Sequence, residues 1–101
     1  MKIKAFISKS YDCEGMVLYF SGLSVQHIKD YLDAYSTDDE FCRAIFESLP
    51  EIWMEQVSVK GKIIRTYTLV FCIPFKYWTE EDARKELERI RDYIYARMGW
   101  E

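Results

Sequence analysis

The side chains with the greatest reactive potential in this chain are its only histidine, His27, and three cysteines, Cys13, Cys42 and Cys72. Nucleophilic catalysis needs a thiol or hydroxyl held beside a base that a third group orients. Nothing in the spacing ties His27 to a cysteine: it precedes Ile28 near a helix start and reads as a partly exposed helix residue. Cys42 falls beside an apolar helix stripe and Cys72 within an apolar strand run, so both read as small core residues. Cys13 lies between Asp12 and Glu14, whose charge disfavours a thiolate. Three widely spaced cysteines without a C-x-x-C pair suggest neither a disulfide framework nor a zinc site.

Carboxylates are plentiful, yet Asp38, Asp39 and Glu40 head one expected helix, and Glu80, Glu81 and Asp82 head another, where the helix dipole accounts for them. "DCEG" brings two carboxylates to a turn and stops well short of a calcium loop. The four glycines are scattered singly, so no phosphate-cradling loop exists. The sequence is therefore read as that of a non-enzyme, with no catalytic residue, no cofactor and no metal site.

Binding is the alternative to catalysis, and charge asymmetry points to where. From Asp30 to Glu55 the acids Asp30, Asp33, Asp38, Asp39, Glu40, Glu47, Glu51 and Glu55 are opposed only by Arg43. Tyr31, Tyr35, Phe41, Trp53 and Met54 are interleaved with them, more aromatic and Met side chains than a two-helix segment needs for one stripe, and aromatic side chains make good interface anchors. The expectation is a small accessory or regulatory protein of the inhibitor, immunity or adaptor type. It binds a protein partner with a basic surface through Asp30, Asp33, Tyr35, Asp38, Asp39, Glu40, Trp53 and Glu55; the bland counterpart is a solvated acidic face over core aromatics. The same features suit a homodimer through exposed rings or an edge strand.

A second reading is a single-stranded nucleic-acid binder using Lys60, Lys62, Arg65 and Tyr67, with Tyr67 and Phe71 on the strand face of Arg65 as stacking platforms. A formal net charge of −3 opposes it. An enzyme with an unrecognised site is the third reading.

These residues must be positioned by a fold, and the periodicity specifies one. Residues 2 to 10 alternate, with Ile3, Ala5 and Ile7 opposing Lys2, Lys4 and Ser8, and Phe6 interrupting the polar side. "YDCEG" turns the chain into a second strand, "MVLYF". Ser24 caps a helix carrying Val25, Ile28 and Leu32; Thr37 and Glu40 then stand in the capping-box relation, so a second helix starts near Asp38. Phe41, Ile45 and Leu49 recur every four residues, with Cys42 and Phe46 beside them, until Pro50.

From Ile52 the period returns to two, "KGK" makes a tight turn with Gly61 at positive φ, and "IIRTYTLVFCIPF" returns as a strand. Thr79 caps the last helix, with Trp78 and Ala83 placed as a hydrophobic staple, and Gly99 ends it. In "KYW", Lys76 and Tyr77 form a corner that is a second place for a partner if both are exposed.

The order β-β-α-α-β-β-α predicts one α+β domain over 1–101: two layers, with a four-stranded, mainly antiparallel sheet of two β-hairpins and the helices on one face. At 101 residues with 50% hydrophobic content, a single core suffices without staples. "MKIKAFISKSYD" has only a broken apolar run, and no stretch approaches the ~20 apolar residues of a spanning helix. A soluble, unexported, cytoplasmic protein with no membrane contact is expected.

Overall fold

A computed structural model describes residues 3–45 and 49–100. Lys2, Phe46 and Glu47, assigned above to a strand face, a helix stripe and the acidic run, lie outside the described residues.

The element order is the expected one: β1 Lys4–Ser10, β2 Gly15–Leu23, α1 Val25–Thr37, α2 Asp39–Ile45, β3 Leu49–Val59, β4 Lys62–Pro74 and α3 Glu80–Met98. The strands form one sheet in the order β1-β2-β4-β3, antiparallel throughout. The fold is thus α+β, with the helices on one face. Under them lie Met16, Leu18 and Phe20 of β2 and Leu69, Phe71 and Ile73 of β4, all at most 1% exposed. Leu87, Ile90 and Ile94 of α3 meet them with no exposed surface. Burying each such side chain is worth about 1.5–3 kcal/mol, so this seam dominates the core.

Local chemistry sets the boundaries. Ser24 Oγ accepts from the His27 backbone N–H at 3.3 Å, while His27 Nδ1 accepts from the Ser24 N–H at 2.9 Å, a reciprocal cap with histidine in the place of the usual glutamate. Thr79 Oγ1 accepts from the Asp82 N–H at 3.1 Å, and Gly99 closes α3 in the left-handed conformation. Trp78 packs on the core and Ala83 is buried, as the staple reading requires.

Two boundaries differ from expectation. Thr37 does not cap α2; it ends α1, donating from Oγ1 to the Asp33 carbonyl at 2.7 Å. The cap is Asp38, whose Oδ1 accepts from the N–H groups of Glu40 and Phe41 at 3.0 and 3.2 Å. An ionised carboxylate outcompetes a hydroxyl for free helix donors. Leu49, placed above on a helix stripe, begins β3; Pro50 does not stop a helix but sits in an edge strand, where its missing N–H costs little.

The cysteines are the main correction. Cys13 and Cys72 are joined by a disulfide across 59 residues of chain, with Cα atoms 6.8 Å apart, and Cys42 alone is free. Sequence spacing hid the pair because the sheet register creates it. Gly15 faces Pro74 at the end of the β2–β4 ladder, and a Cβ on Gly15 would meet the Ile73 carbonyl oxygen, so only glycine permits this approach. The approach carries the β1–β2 turn over Cys72. Among the described residues no helix is long and apolar enough to cross a membrane.

Replacing both Cys13 and Cys72 by serine should lower the unfolding free energy by roughly 2–4 kcal/mol, read as a lower urea midpoint. The wild-type midpoint should fall likewise in reductant; indifference to both changes would mean that the thiols are not joined in solution.

Candidate functional site

The strands of this sheet are unequal, and the inequality makes an arm. β2 pairs with β4 only from Gly15 opposite Pro74 to Leu23 opposite Tyr67. The β3–β4 ladder runs on without a register shift to Val59 opposite Lys62. It closes through Lys60 and Gly61 at φ of 52° and 77°, the two positive values of a two-residue hairpin turn whose twist matches its strands. Every residue from 51 to 65 is exposed.

Alternation along the arm does not divide it into an apolar and a polar side. Cross-strand pairing puts Trp53 with Thr68, Glu55 with Thr66, Val57 with Ile64, and Val59 with Lys62 on one side. The other side carries Ile52 with Leu69, Met54 with Tyr67, Gln56 with Arg65, and Ser58 with Ile63. Ile52, Trp53, Met54, Val57, Val59, Ile63 and Ile64 are 40–69% exposed. Single exposed apolar side chains need no explanation, but seven on the two sides of one projecting hairpin exceed scattered exposure.

The arm's first side continues into the face of the sheet that the helices leave uncovered. There Phe6 of β1 stacks on Tyr19 of β2 at 4.9 Å between ring centroids, and Tyr19 meets Trp53 of β3 at 5.9 Å. Trp53 Nε1–H donates to Glu51 at 3.0 Å. Val17 and Val70, among these rings, are buried despite facing away from the helices. Beside them a hollow of about 220 Å³ is lined by Asp12, Glu51, Tyr19, Trp53 and the Cys13–Cys72 bridge.

The acidic residues expected to act together are divided by the sheet. Trp53 and Glu55 lie on the uncovered face and its arm, whereas Asp30, Asp33, Tyr35, Asp38, Asp39 and Glu40 lie on α1, α2 and the joint between them. Within the helical group, Asp30 accepts from Gln26 at 2.8 Å and Asp38 is committed to structure. Its Oδ2 pairs with Arg97 of α3 at 3.1 Å, and the guanidinium lies 5.9 Å from the Phe41 ring centroid. The Phe41 N–H, then Arg97 and the Glu40 N–H, hold the Asp38 carboxyl below the usual carboxylate range. Asp33, Asp39, Glu40 and Tyr35 remain exposed, with Leu32 beside them at 47%.

The residues of the nucleic-acid reading are also separated. Lys60 is in the turn and Lys62 is on the side of the uncovered face, whereas Arg65 and Tyr67 are on the side of the helices. Tyr67 packs against the core and Phe71 is fully buried in it, so neither offers a free platform. The rings that do lie on the uncovered face are Phe6, Tyr19 and Trp53. Phe6 was legible only as the residue interrupting its strand's polar side, and Tyr19 was hidden in the apolar run "MVLYF". At the "KYW" corner Lys76 and Tyr77 are both exposed, Tyr77 at 82%, with the ammonium 5.3 Å from the ring centroid.

His27 is occupied by the α1 cap and meets Trp100 edge-on at 5.7 Å between centroids, while Cys42 Sγ donates to the Tyr35 carbonyl at 3.3 Å. Among the described residues no group of three or more His, Cys, Asp or Glu side chains is placed to hold a metal ion. Neither a protein-family model, nor a curated protein, nor a solved structure matches this chain.

Among the described residues one buried side-chain polar group lacks a partner. The Tyr31 hydroxyl, on a side chain 1% exposed between Phe41, Phe71 and Tyr35, makes no hydrogen bond, and burial pushes its pKa well above the usual phenol range. Tyr31→Phe removes that unmet polar group and should raise stability by about 1 kcal/mol in urea unfolding; a loss of that size would reveal a partner, such as a buried water.

Asp38 contributes to the acid response. Its pKa is lower folded than unfolded, so its contribution is complete above the ordinary carboxylate value near pH ~4 and fades as pH falls through the lowered one. Asp38→Asn keeps a capping acceptor and removes the charge. It should destabilise the protein at neutral pH and flatten the fall in stability between neutral and strongly acidic pH, measured by urea unfolding at several pH values. An unchanged acid limb would assign the titration to other carboxyls.

Proposed function

We propose that this protein acts without catalysis, by binding another polypeptide chain through the β3–β4 arm and the adjoining uncovered face. The observation that carries this reading is the arm itself, a two-stranded projection with seven large apolar side chains exposed on both of its sides. A hairpin of this kind gains little from its own folding, since an isolated pair of strands has no face to bury. Its apolar side chains have value in what they touch next.

The acidic helical face keeps a supporting part in the proposal. Asp33, Asp39 and Glu40 are exposed beside Tyr35 and Leu32, and such a surface favours encounter with a basic partner while contributing less to holding it. The cytoplasmic setting expected from the sequence is retained as part of the proposal. Reducing conditions there act against the Cys13–Cys72 bridge, so thiol labelling before and after reduction of cell extracts tests setting and bridge together.

The second reading, single-stranded nucleic acid, is favoured by the Phe6–Tyr19–Trp53 row on an uncovered four-stranded sheet. Glu51 and Glu55 on the same side, with the net negative charge, weigh against a phosphate backbone there.

A photo-crosslinking residue placed at Val57, at Asp33 or, as control, at Lys85 separates these surfaces in the protein's own cells. Val57 should give a discrete protein adduct and Lys85 none. Adducts from Asp33 alone would move the interface to the acidic helices, and no protein adduct from either would overturn the reading. Salt-sensitive binding of a labelled oligonucleotide, lost in Trp53→Ala and Tyr19→Ala, would establish the nucleic-acid alternative in its place.

A further inference from the structure

We infer that the chain seated on the arm is a second copy of this protein, with β3 pairing antiparallel to the partner's β3 about a two-fold axis. The inference rests on the arm-binding reading above and names its partner.

The two edges of the sheet are treated differently. β1, at one edge, is seven residues long with Lys4 and Lys9 exposed near its ends, and Lys9 is clasped by Glu80 of α3 at 3.1 Å. Short length, lysines and a covering helix are the usual protections against strand addition. β3, at the other edge, has eleven residues paired to β4 without a bulge, and from Ile52 to Val59 its only charge is Glu55. Pro50 blocks only the base. Such an edge offers a row of backbone donors and acceptors with apolar side chains around it.

Charge order along β3 selects the orientation and the occupant. The strand runs from Glu51 and Glu55 toward Lys60 and Lys62, and Glu51, Glu55 and Lys62 project from the same side. Two antiparallel copies lay Glu51 at the base of each along Lys60 and Lys62 at the other's tip, with Glu55 near the two-fold axis, whereas parallel copies would set Glu51 and the tip lysines each against their own kind. An isologous two-fold contact requires this kind of self-complementarity.

The surface area agrees. The chain exposes 6912 Å², whereas a compact monomer of its 12.1 kDa mass exposes about 6000 Å². The excess of about 900 Å² is the surface of an elongated chain with a projecting arm, and a standard interface takes ~800 Å² from each partner. Its radius of gyration, 14.2 Å, likewise exceeds the ~12.7 Å of a compact domain of this length.

The test uses the purified full chain and light scattering across a wide concentration range. The wild type should approach twice 12.1 kDa. A basic-arm variant, Glu51→Lys with Glu55→Lys, and an acidic-arm variant, Lys60→Glu with Lys62→Glu, should each dimerise at least about tenfold more weakly alone and recover the dimer when mixed. Misfolding would not be rescued by mixing, and circular dichroism of each variant checks it directly. A wild type that stays monomeric, or a dimer indifferent to these charge changes, overturns the inference. If the chain is monomeric yet Val57 crosslinks to a different protein, the arm-binding reading survives and the self-pairing falls. If it is monomeric and Val57 gives no adduct, both fall.

Discussion

The structure depends on a mismatch of strand lengths around β4. Eleven of its thirteen residues, Lys62 to Cys72, are paired by β3, but the nine residues of β2 cover only the part from Tyr67 to Pro74. In that part β4 lies inside the sheet, roofed by helices on one side and bordered by Tyr19 and Trp53 on the other. Its sequence there is the continuous apolar run Leu69–Ile73, as a strand buried on both faces requires. Beyond Tyr67 the strand loses both β2 and the helices. The sequence nevertheless stays apolar on both sides through Ile63 and Ile64, so the chain places hydrophobic side chains where its own fold has nothing to cover them.

The acids of this chain divide into those that hold the fold and those left free. Asp38 belongs wholly to the first kind: one oxygen caps α2 and the other grips Arg97, which lies against the Phe41 ring. Arg89 does similar work one layer away, reaching from α3 to the Ala44 carbonyl near the end of α2 at 2.6 Å while paired with Glu86. Short α2 could not sustain itself as an isolated helix and is held by these contacts and by buried Phe41 and Ile45. Asp33, Asp39 and Glu40 enter no ion pair among the described residues, so the helical surface stays negative although its sharpest charge is spent on architecture.

Much of the architecture was legible because local signals agreed with the period of each segment. Ser24, Thr79, Gly61 and Gly99 all occupy the positions that their capping and turn chemistry implies. What failed depended on distance. Cys13 and Cys72 meet only because Gly15 lets β2 close onto the end of β4, and no spacing rule encodes that. Leu49 continued a helical stripe by count but belongs to the next strand, a boundary error that tertiary pairing decides. The candidate site was the least legible part. Alternation says which residues share a strand face but not which face the helices cover, so in the sequence Tyr67 resembles a platform and Phe6 an irregularity. Trp53 stands out in the sequence as a surplus ring, but the structure places it on the uncovered face, apart from the helical acids grouped with it.

The bridge and the turn together give the molecule a covalent property that neither has alone. Cys13 and Cys72 close a ring of chain that contains β2, α1, α2, β3 and the whole arm, while β1 and α3 are its tails. Lys60 is exposed at the arm's tip, within that ring, and is the natural point of attack for a lysine-specific protease. A cut after Lys60 opens the ring without dividing the molecule, because one fragment carries Cys13 and the other Cys72. The nicked protein would gain the mass of one water, run as a single species until reduced, and keep its core strands in register while its arm came apart into two loose ends.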